Sequence, residues 1–314
     1  MPGKKALVMT KLPNQAPILS GQVINLTGRS LDCIICEKPV SQRWQNDNLL
    51  LKCPGCGLIF SELISQPDEA GKNYRADYFS GVDYADYRSE KKALQETFQR
   101  YLKILARYSS GGRLYEIGCA YGYFLDLARR KWEVSGIDVC AESTKFARES
   151  LQLNVTGDNF LKAPVKKDYY NVFCLWDTIE HLAQPHQYLE KISRLITKDG
   201  LLCISTGDID SPMARLRGKS WRLINPAIHL FYFNKNTIKR LLTKYKFQLL
   251  LFTYPTYSRT IRQMAYRMVQ KQINKSSEMF SGCNFLSKIS GTGLGDYIIR
   301  LNLFDIMVVI ARKI

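Results

Sequence analysis

The sequence predicts an α/β protein: a doubly wound parallel sheet with helices on both faces, preceded by a small cysteine-punctuated module. Three observations predict it. From residue 113 onward, apolar strand-like runs alternate with helix-period segments, the pattern of crossover connections in a parallel sheet. The first run, "RLYEIGCAYGYFLDLA", ends in a carboxylate, turns through small residues and opens into a helical pattern, the way such folds hold a nucleotide-type ligand. Ahead of it, "CIIC" at 33–36 and "CPGC" at 53–56 punctuate a short, turn-rich stretch.

Bulk composition narrows the class. The chain has 314 residues, 46% hydrophobic and 23% charged, enough to bury a full core and unlike a disordered chain. No run approaches the roughly 18 apolar residues of a membrane span, and the N-terminus lacks a signal-peptide core, so a cytoplasmic protein is expected. Nine cysteines, an odd number, fit a reducing compartment better than a disulfide framework. The net charge of +17 favours an anionic partner: nucleic acid, a phosphate-bearing substrate or an acidic lipid surface.

The elements follow in order. Residues 1–28 read as a tail, 29–82 as the cysteine module and 83–110 as a linker helix. That helix carries Leu94, Phe98, Leu102 and Leu105 at helical spacing and is stopped by "SSGG" at 109–112. The main domain takes up 111–314. Its strands are "RLYEIG", "EVSGIDV", "YYNVFCLW" and "GLLCISTG", each followed or preceded by a helical segment. Two late strands, "FQLLLFTY" and "FDIMVVIARK", enclose a basic helical insertion at about 257–300.

The turn after the first strand identifies its ligand. A dinucleotide fingerprint needs a third glycine where Tyr123 stands. Glu116, just before the turn, would repel a pyrophosphate and favour an ammonium group. S-adenosylmethionine has ribose, adenine and an amino group but no phosphate. The pattern E-x-G-x-A-x-G, with Glu116, Gly118, Ala120 and Gly122, resembles motif I of class I methyltransferases, with Ala120 in place of the middle glycine. Asp138 ends the next strand, 22 residues after Glu116, where an acid can accept the ribose hydroxyls. Asp158 in "GDN" resembles the position that meets the adenine amino group. The segment "LWDTIEHLAQPHQYLEKISRLITKDGLLCIST", with Asp177, resembles the family's fourth strand, helix and fifth strand. The resemblance implies a Rossmann-like methyltransferase sheet with cofactor contacts at Glu116, Gly118, Gly122, Asp138, Asp158 and Asp177.

Cys33, Cys36, Cys53 and Cys56 form C-x2-C-x16-C-x2-C, a spacing that suits a closed, structural four-cysteine zinc site. Residues 33–88, with "KCPGCGLIF" and "Y-x-x-DYF", resemble the N-terminal zinc ribbon of bacterial sugar and glycan-type methyltransferases. The remaining cysteines read as core.

Methyl transfer needs alignment, exclusion of water and, for some acceptors, a base. His181 follows Glu180 at the carboxyl edge of the fourth strand, and His229 sits in "NPAIHLFYF". Glu180, His181 and His229 are the candidate catalytic groups, against the alternative of helix-entry and pocket-shaping residues. Tyr232 and Tyr78 are weaker candidates, and His186 reads as a surface residue. In the insertion, Ile261, Met264, Ala265, Met268 and Ile273 recur at helical spacing among Arg259, Arg262, Arg267, Lys271 and Lys275. Such a helix docks on its own domain or lies peripherally on an anionic inner membrane surface. The expected activity is methyl transfer to a small-molecule or glycan-precursor acceptor, anionic or phosphate-linked, such as a nucleotide- or lipid-linked sugar. The alternative is an RNA methyltransferase using ribbon and charge, against which no target-base motif follows the fourth strand.

Overall fold

The computed structural model describes residues 31–65, 87–273 and 293–314. The expected tail, Tyr78 and its connector, Lys275 and Cys283 lie outside the described residues, as do the side chains of Met268, Lys271 and Ile273. Leu31–Ile314 forms one compact unit.

The ribbon consists of two short hairpins, β1 (Leu31–Asp32) with β2 (Pro39–Val40) and β3 (Leu50–Lys52) with β4 (Ile59–Ser61). Its two cysteine turns are built alike. The Cys33 carbonyl accepts from Glu37 N and the Cys53 carbonyl from Gly57 N. Cys33 N donates to Lys38 O and Cys53 N to Leu58 O. Both fifth positions are left-handed, Glu37 at φ 59° and Gly57 at φ 81°, where glycine costs least.

The main sheet has seven strands: β5 (Arg113–Ile117), β6 (Glu133–Asp138), β7 (Val155–Gly157), β8 (Tyr170–Trp176), β9 (Ile196–Gly207), β11 (Phe247–Thr253) and β14 (Ile306–Lys313). The short strand β10 (Phe231–Tyr232) lies outside it. The sheet order is β7-β6-β5-β8-β9-β14-β11. The first five run parallel, and β14 lies antiparallel between β9 and β11. The order of the two late strands in the sheet was not readable from the chain. β14 takes the inner place because Ile306 to Ala311 are all buried, whereas β11 buries only Phe247.

Both faces of the sheet are covered. Phe173 and Leu175 of β8 join one core with Leu202, Ile204, Met307 and Val309, while Val172 and Cys174 face the other with Leu114, Val308 and Ile310. This is the period-two alternation of a strand buried on both sides, with each large side chain contributing roughly 1.5–3 kcal/mol. The first core also takes in Cys33, Leu51, Leu58 and Phe60 of the ribbon, packed with Ile238 and Leu241. β4 pairs antiparallel with β10.

Helix α1 (Lys91–Leu105) fills the centre of the expected linker helix. It packs on β12 (Tyr257–Thr260), whose antiparallel partner is β13 (Ile298–Leu301). Ser258 N donates to Thr97 Oγ1 at 2.9 Å, and Thr260 N donates to Glu90 at 3.2 Å. Between β12 and β13, the insertion helix runs from Ile261 to Ile273 with Gln263 and Ala265 buried, so its described first half is docked on the domain. Among the described residues, no helix is long and apolar enough to cross a membrane.

Candidate active site

A cavity of about 220 Å³ lies over the carboxyl edge of the parallel strands. At one end is the turn after β5. Gly118 (φ 76°), Ala120 (φ 45°) and Gly122 (φ 76°) are all left-handed, and Gly118 N and Cys119 N donate to Ile137 O. A Cβ on Gly118 would stand 2.5 Å from Thr178 Oγ1, so only glycine fits there. Asp138 braces the turn, accepting from Ala120 N and Cys140 N, both at 2.8 Å. Burial raises its carboxyl above the ordinary range, and those amide donors oppose the rise. Each oxygen keeps a second lone pair for a ligand hydroxyl.

Gly118, Ala120, Asp138, Asp158 and Asp177 line the cavity. Asp158 N donates to Asp138 O, which places that exposed carboxylate at the cavity rim. Asp177, at φ 47°, is held by Ser205, whose hydroxyl donates to its Oδ1 at 2.6 Å. Two of the sequence candidates lie elsewhere. Gly122 caps helix α2 (Tyr123–Ala128), and a Cβ there would meet Leu153 at 2.6 Å, so it serves packing. Glu116 is 2% exposed, off the cavity wall, with Oε2 unpartnered. Burial, with the charge of Asp138, holds its carboxyl well above the usual range.

Glu180 and His181 sit on the 3-10 turn Ile179–His181 after β8, both buried. The segment carrying His229 crosses this turn: Leu230 N donates to Glu180 O at 2.7 Å, and His181 Nδ1 meets Ile228 O at 3.0 Å. His229 Nδ1 meets Leu223 O at 2.6 Å. A carbonyl only accepts, so each imidazole carries a proton on Nδ1. The two rings are 4.8 Å apart, and one ligand atom from each of Glu180, His181 and His229 lies within 4.8 Å of the others. Burial, with Asp177 nearby, pushes the Glu180 carboxyl up to about 8. All three residues line the cavity. Tyr232 does not; it is buried and its hydroxyl accepts from Asn225 N, bracing the loop before His229. His186 is half-buried, with an unpartnered Nδ1, and is also off the wall.

Sequence reasoning missed the rest of the wall. Leu94, Phe98 and Tyr101 of α1 line the cavity, and the Tyr101 ring packs on Trp176 at 4.8 Å. The helical stripe was visible, but a stripe facing a cavity and one facing a core look alike. Arg222, Arg259 and Arg267 also line it. The guanidinium carbons of Arg222 and Arg259 each stand 5.3 Å from the centre of the Tyr257 ring. Arg222 is held through two hydrogen bonds by the fully buried Asp305.

The four ribbon sulfurs also lie within 4.8 Å of one another, with Cys33–Cys56 and Cys36–Cys53 each at 3.4 Å. A tetrahedral zinc with Zn–S near 2.3 Å holds its sulfurs roughly 3.8 Å apart, so the cluster fits one ion. Burial pushes the Cys33 thiol up to about 11.

A parallel sheet closed by one reversed strand, with a glycine turn and acids at its carboxyl edge, is the class I methyltransferase fold. Residues 84–251 match the methyltransferase domain family, and the chain belongs to that family. Over 107 residues it is 29% identical to the ubiquinone biosynthesis O-methyltransferase of Glaesserella parasuis serovar 5 (strain SH0165), a match covering 31% of this chain and 45% of the relative. The chain thus spans less than half the length of that curated relative. Its fold is similar to that of the YcgJ protein from Bacillus subtilis, with a TM-score of 0.50 and 13% identity over 69% of this chain and 98% of the other. A methyltransferase-like protein from Bacillus halodurans C-125 superposes with a TM-score of 0.49 at 12% identity, over 69% and 99% of the two chains.

Proposed function

We propose that the protein transfers a methyl group from S-adenosylmethionine to a hydroxyl of a small anionic acceptor, such as a phosphate-linked glycan precursor. One observation carries this reading: a single cavity joins the glycine turn and its acids to the Glu180–His181–His229 group. The turn suits a cofactor that is cationic at its amino acid end, because Asp138, Asp158 and Asp177 line the cavity beside the backbone of Gly118 and Ala120. Bound there, the cofactor supplies an electrophilic methyl on a sulfonium. Asp138 and Asp158 hold its ribose and adenine end, and Glu180, His181 and His229 activate the acceptor hydroxyl.

The name of the curated relative supports a small acceptor and transfer to oxygen. Arg222, Arg259 and Arg267 on the wall support an acceptor with negative charge. The ribbon holds a structural zinc at Cys33, Cys36, Cys53 and Cys56. A cytoplasmic setting suits its reduced cysteines.

Calorimetry with S-adenosylmethionine and S-adenosylhomocysteine, followed by mass spectrometry of a panel of phosphorylated and unphosphorylated sugars, tests the proposal. Asp138→Ala is expected to weaken both cofactor forms about tenfold to a hundredfold, since a charge-assisted hydrogen bond contributes roughly 1.5–3 kcal/mol. Unchanged affinity would remove Asp138 from the site, and no binding by wild type would end the reading.

A further inference from the structure

We propose that Glu180, His181 and His229 form a second metal site, distinct from the four-cysteine cluster. It takes one divalent cation of the zinc class and presents it to the acceptor hydroxyl. The cation's role rests on the reading above; its binding does not.

Four observations converge on it. One donor atom from each residue lies within 4.8 Å of the other two. Tetrahedral nitrogen and oxygen ligands near 2.0–2.1 Å stand roughly 3.4 Å apart, so small side-chain rotations close the set. Both imidazoles are turned by Nδ1 contacts to main-chain carbonyls, His181 to Ile228 and His229 to Leu223. That is the outer-shell arrangement that fixes the tautomer and orientation of a metal-binding histidine. Glu180 is 6% exposed and its Oε2 has no hydrogen-bond partner. A buried carboxylate oxygen left so is costly, and a cation at the neighbouring imidazoles relieves that cost. Finally, the three donors come from two segments locked together by the Leu230 N to Glu180 O bond, so the backbone that carries them is held together before any metal arrives.

The donor set decides the class of ion. Two imidazoles and one carboxylate are borderline ligands that suit zinc and its first-row neighbours, whereas magnesium and calcium take oxygen. Three protein ligands leave a position open. That position faces the cavity shared with the cofactor turn. An acceptor hydroxyl placed there is acidified, as a metal acidifies water. Its proton passes to solvent, an oxygen lone pair forms the new O–CH3 bond, and the pair of the breaking S–CH3 bond stays on sulfur. Charge balances: sulfonium and hydroxyl become thioether, ether and a released proton. Glu180, His181 and His229 then act as ligands and not as the base.

The test counts metal on the full chain, stripped with chelator and titrated with zinc alone. Wild type is expected to bind about two ions per chain, one at each donor cluster. Glu180→Gln, His181→Ala and His229→Ala should each lose about one equivalent and keep the ribbon ion. Cys33→Ser with Cys56→Ser should lose the other and keep this one. Cobalt titration reads the two sites separately, since only the ribbon gives thiolate charge-transfer absorption. Equal zinc stoichiometry in wild type and in all three Glu180, His181 and His229 variants would overturn the proposal, as would a single equivalent in wild type that the cysteine substitutions abolish. Unchanged cofactor affinity in those variants is the control for folding. Loss of the second ion with no methyl transfer to any acceptor would sink the functional reading while leaving the metal site standing.

Discussion

At Gly118 one added carbon meets both a left-handed backbone and a filled space. Its φ of 76° is left-handed, and the Thr178 side chain fills the place of its missing Cβ, with Oγ1 2.5 Å from where that carbon would stand. Gly118→Ala is expected to cost about 1–2 kcal/mol from backbone handedness, and more from the collision. Cofactor affinity should drop at least tenfold while the sheet stays folded. Calorimetry beside a thermal melt checks this, and wild-type affinity in the variant would show that the turn does not approach the ligand. The same turn shows what the chain made legible. Ala120 stands at φ 45°, so the departure from the glycine pattern leaves an alanine in left-handed backbone. The position of Asp138 beside the turn was readable because a strand-end acid has a defined place. Glu116 was placed on the cofactor by the same logic, yet its side chain is buried off the wall. A carboxylate at a strand end and one beneath a turn have identical spacing, and only packing separates them. His181 and His229 were each visible, but not their 4.8 Å approach, which depends on a crossing between distant segments.

The ribbon is joined to the turn that carries Glu180 and His181 and is not an appended module. Its strand β4 pairs with β10, placing Phe60 opposite Phe231, and Ser61 N donates to Leu230 O. Leu230 N in turn donates to Glu180 O. Two hydrogen bonds therefore link the cysteine cluster's own hairpin to the turn that carries Glu180 and His181. Cys36→Ser should lower zinc content by about one equivalent and loosen β4. The acceptor end should suffer, and the turn after β5, which the ribbon does not touch through any described hydrogen bond, should not. The expected outcome is a raised acceptor KM with cofactor affinity within about twofold of wild type, since sites without shared partners respond independently. Parallel loss of cofactor binding would show that the ribbon supports the whole sheet. The knuckles themselves were plain in the cysteine spacing. The pairing was not, because β10 has two residues and no period can be read from so short a strand.

At the scale of the whole molecule, the reversed strand β14 holds the two ends of the cavity wall in one frame. Its lead-in residue Asp305 is fully buried and accepts from Trp221 Nε1 at 3.0 Å and from Arg222 through both Nε and a terminal nitrogen. Its carbonyl accepts from Asp208 N beyond the end of β9. The alternation of strands and helices made the parallel part of the sheet readable, but nothing local tied residue 305 to residues 221 and 222. That contact arises only when β14 inserts beside β9. It also decides stability. Asp305→Ala leaves a guanidinium and an indole N–H without their acceptor, and removing one member of a buried pair costs about 3–5 kcal/mol. Arg222 keeps 26% of its side chain exposed, so water recovers part of this and about 3 kcal/mol is expected. Asp305→Asn should lose less, because its amide oxygen still accepts. The informative comparison is Asp305→Leu with Arg222→Met. If the cost is an orphaned charge, the double variant melts above Asp305→Ala and falls short of wild type by little more than the Trp221 hydrogen bond, about 1 kcal/mol. If the pair instead contributes net attraction, the double variant melts no higher than the single one. Chemical denaturation of the three variants separates these outcomes, and a wild-type midpoint for Asp305→Ala would show that the frame does not depend on this contact.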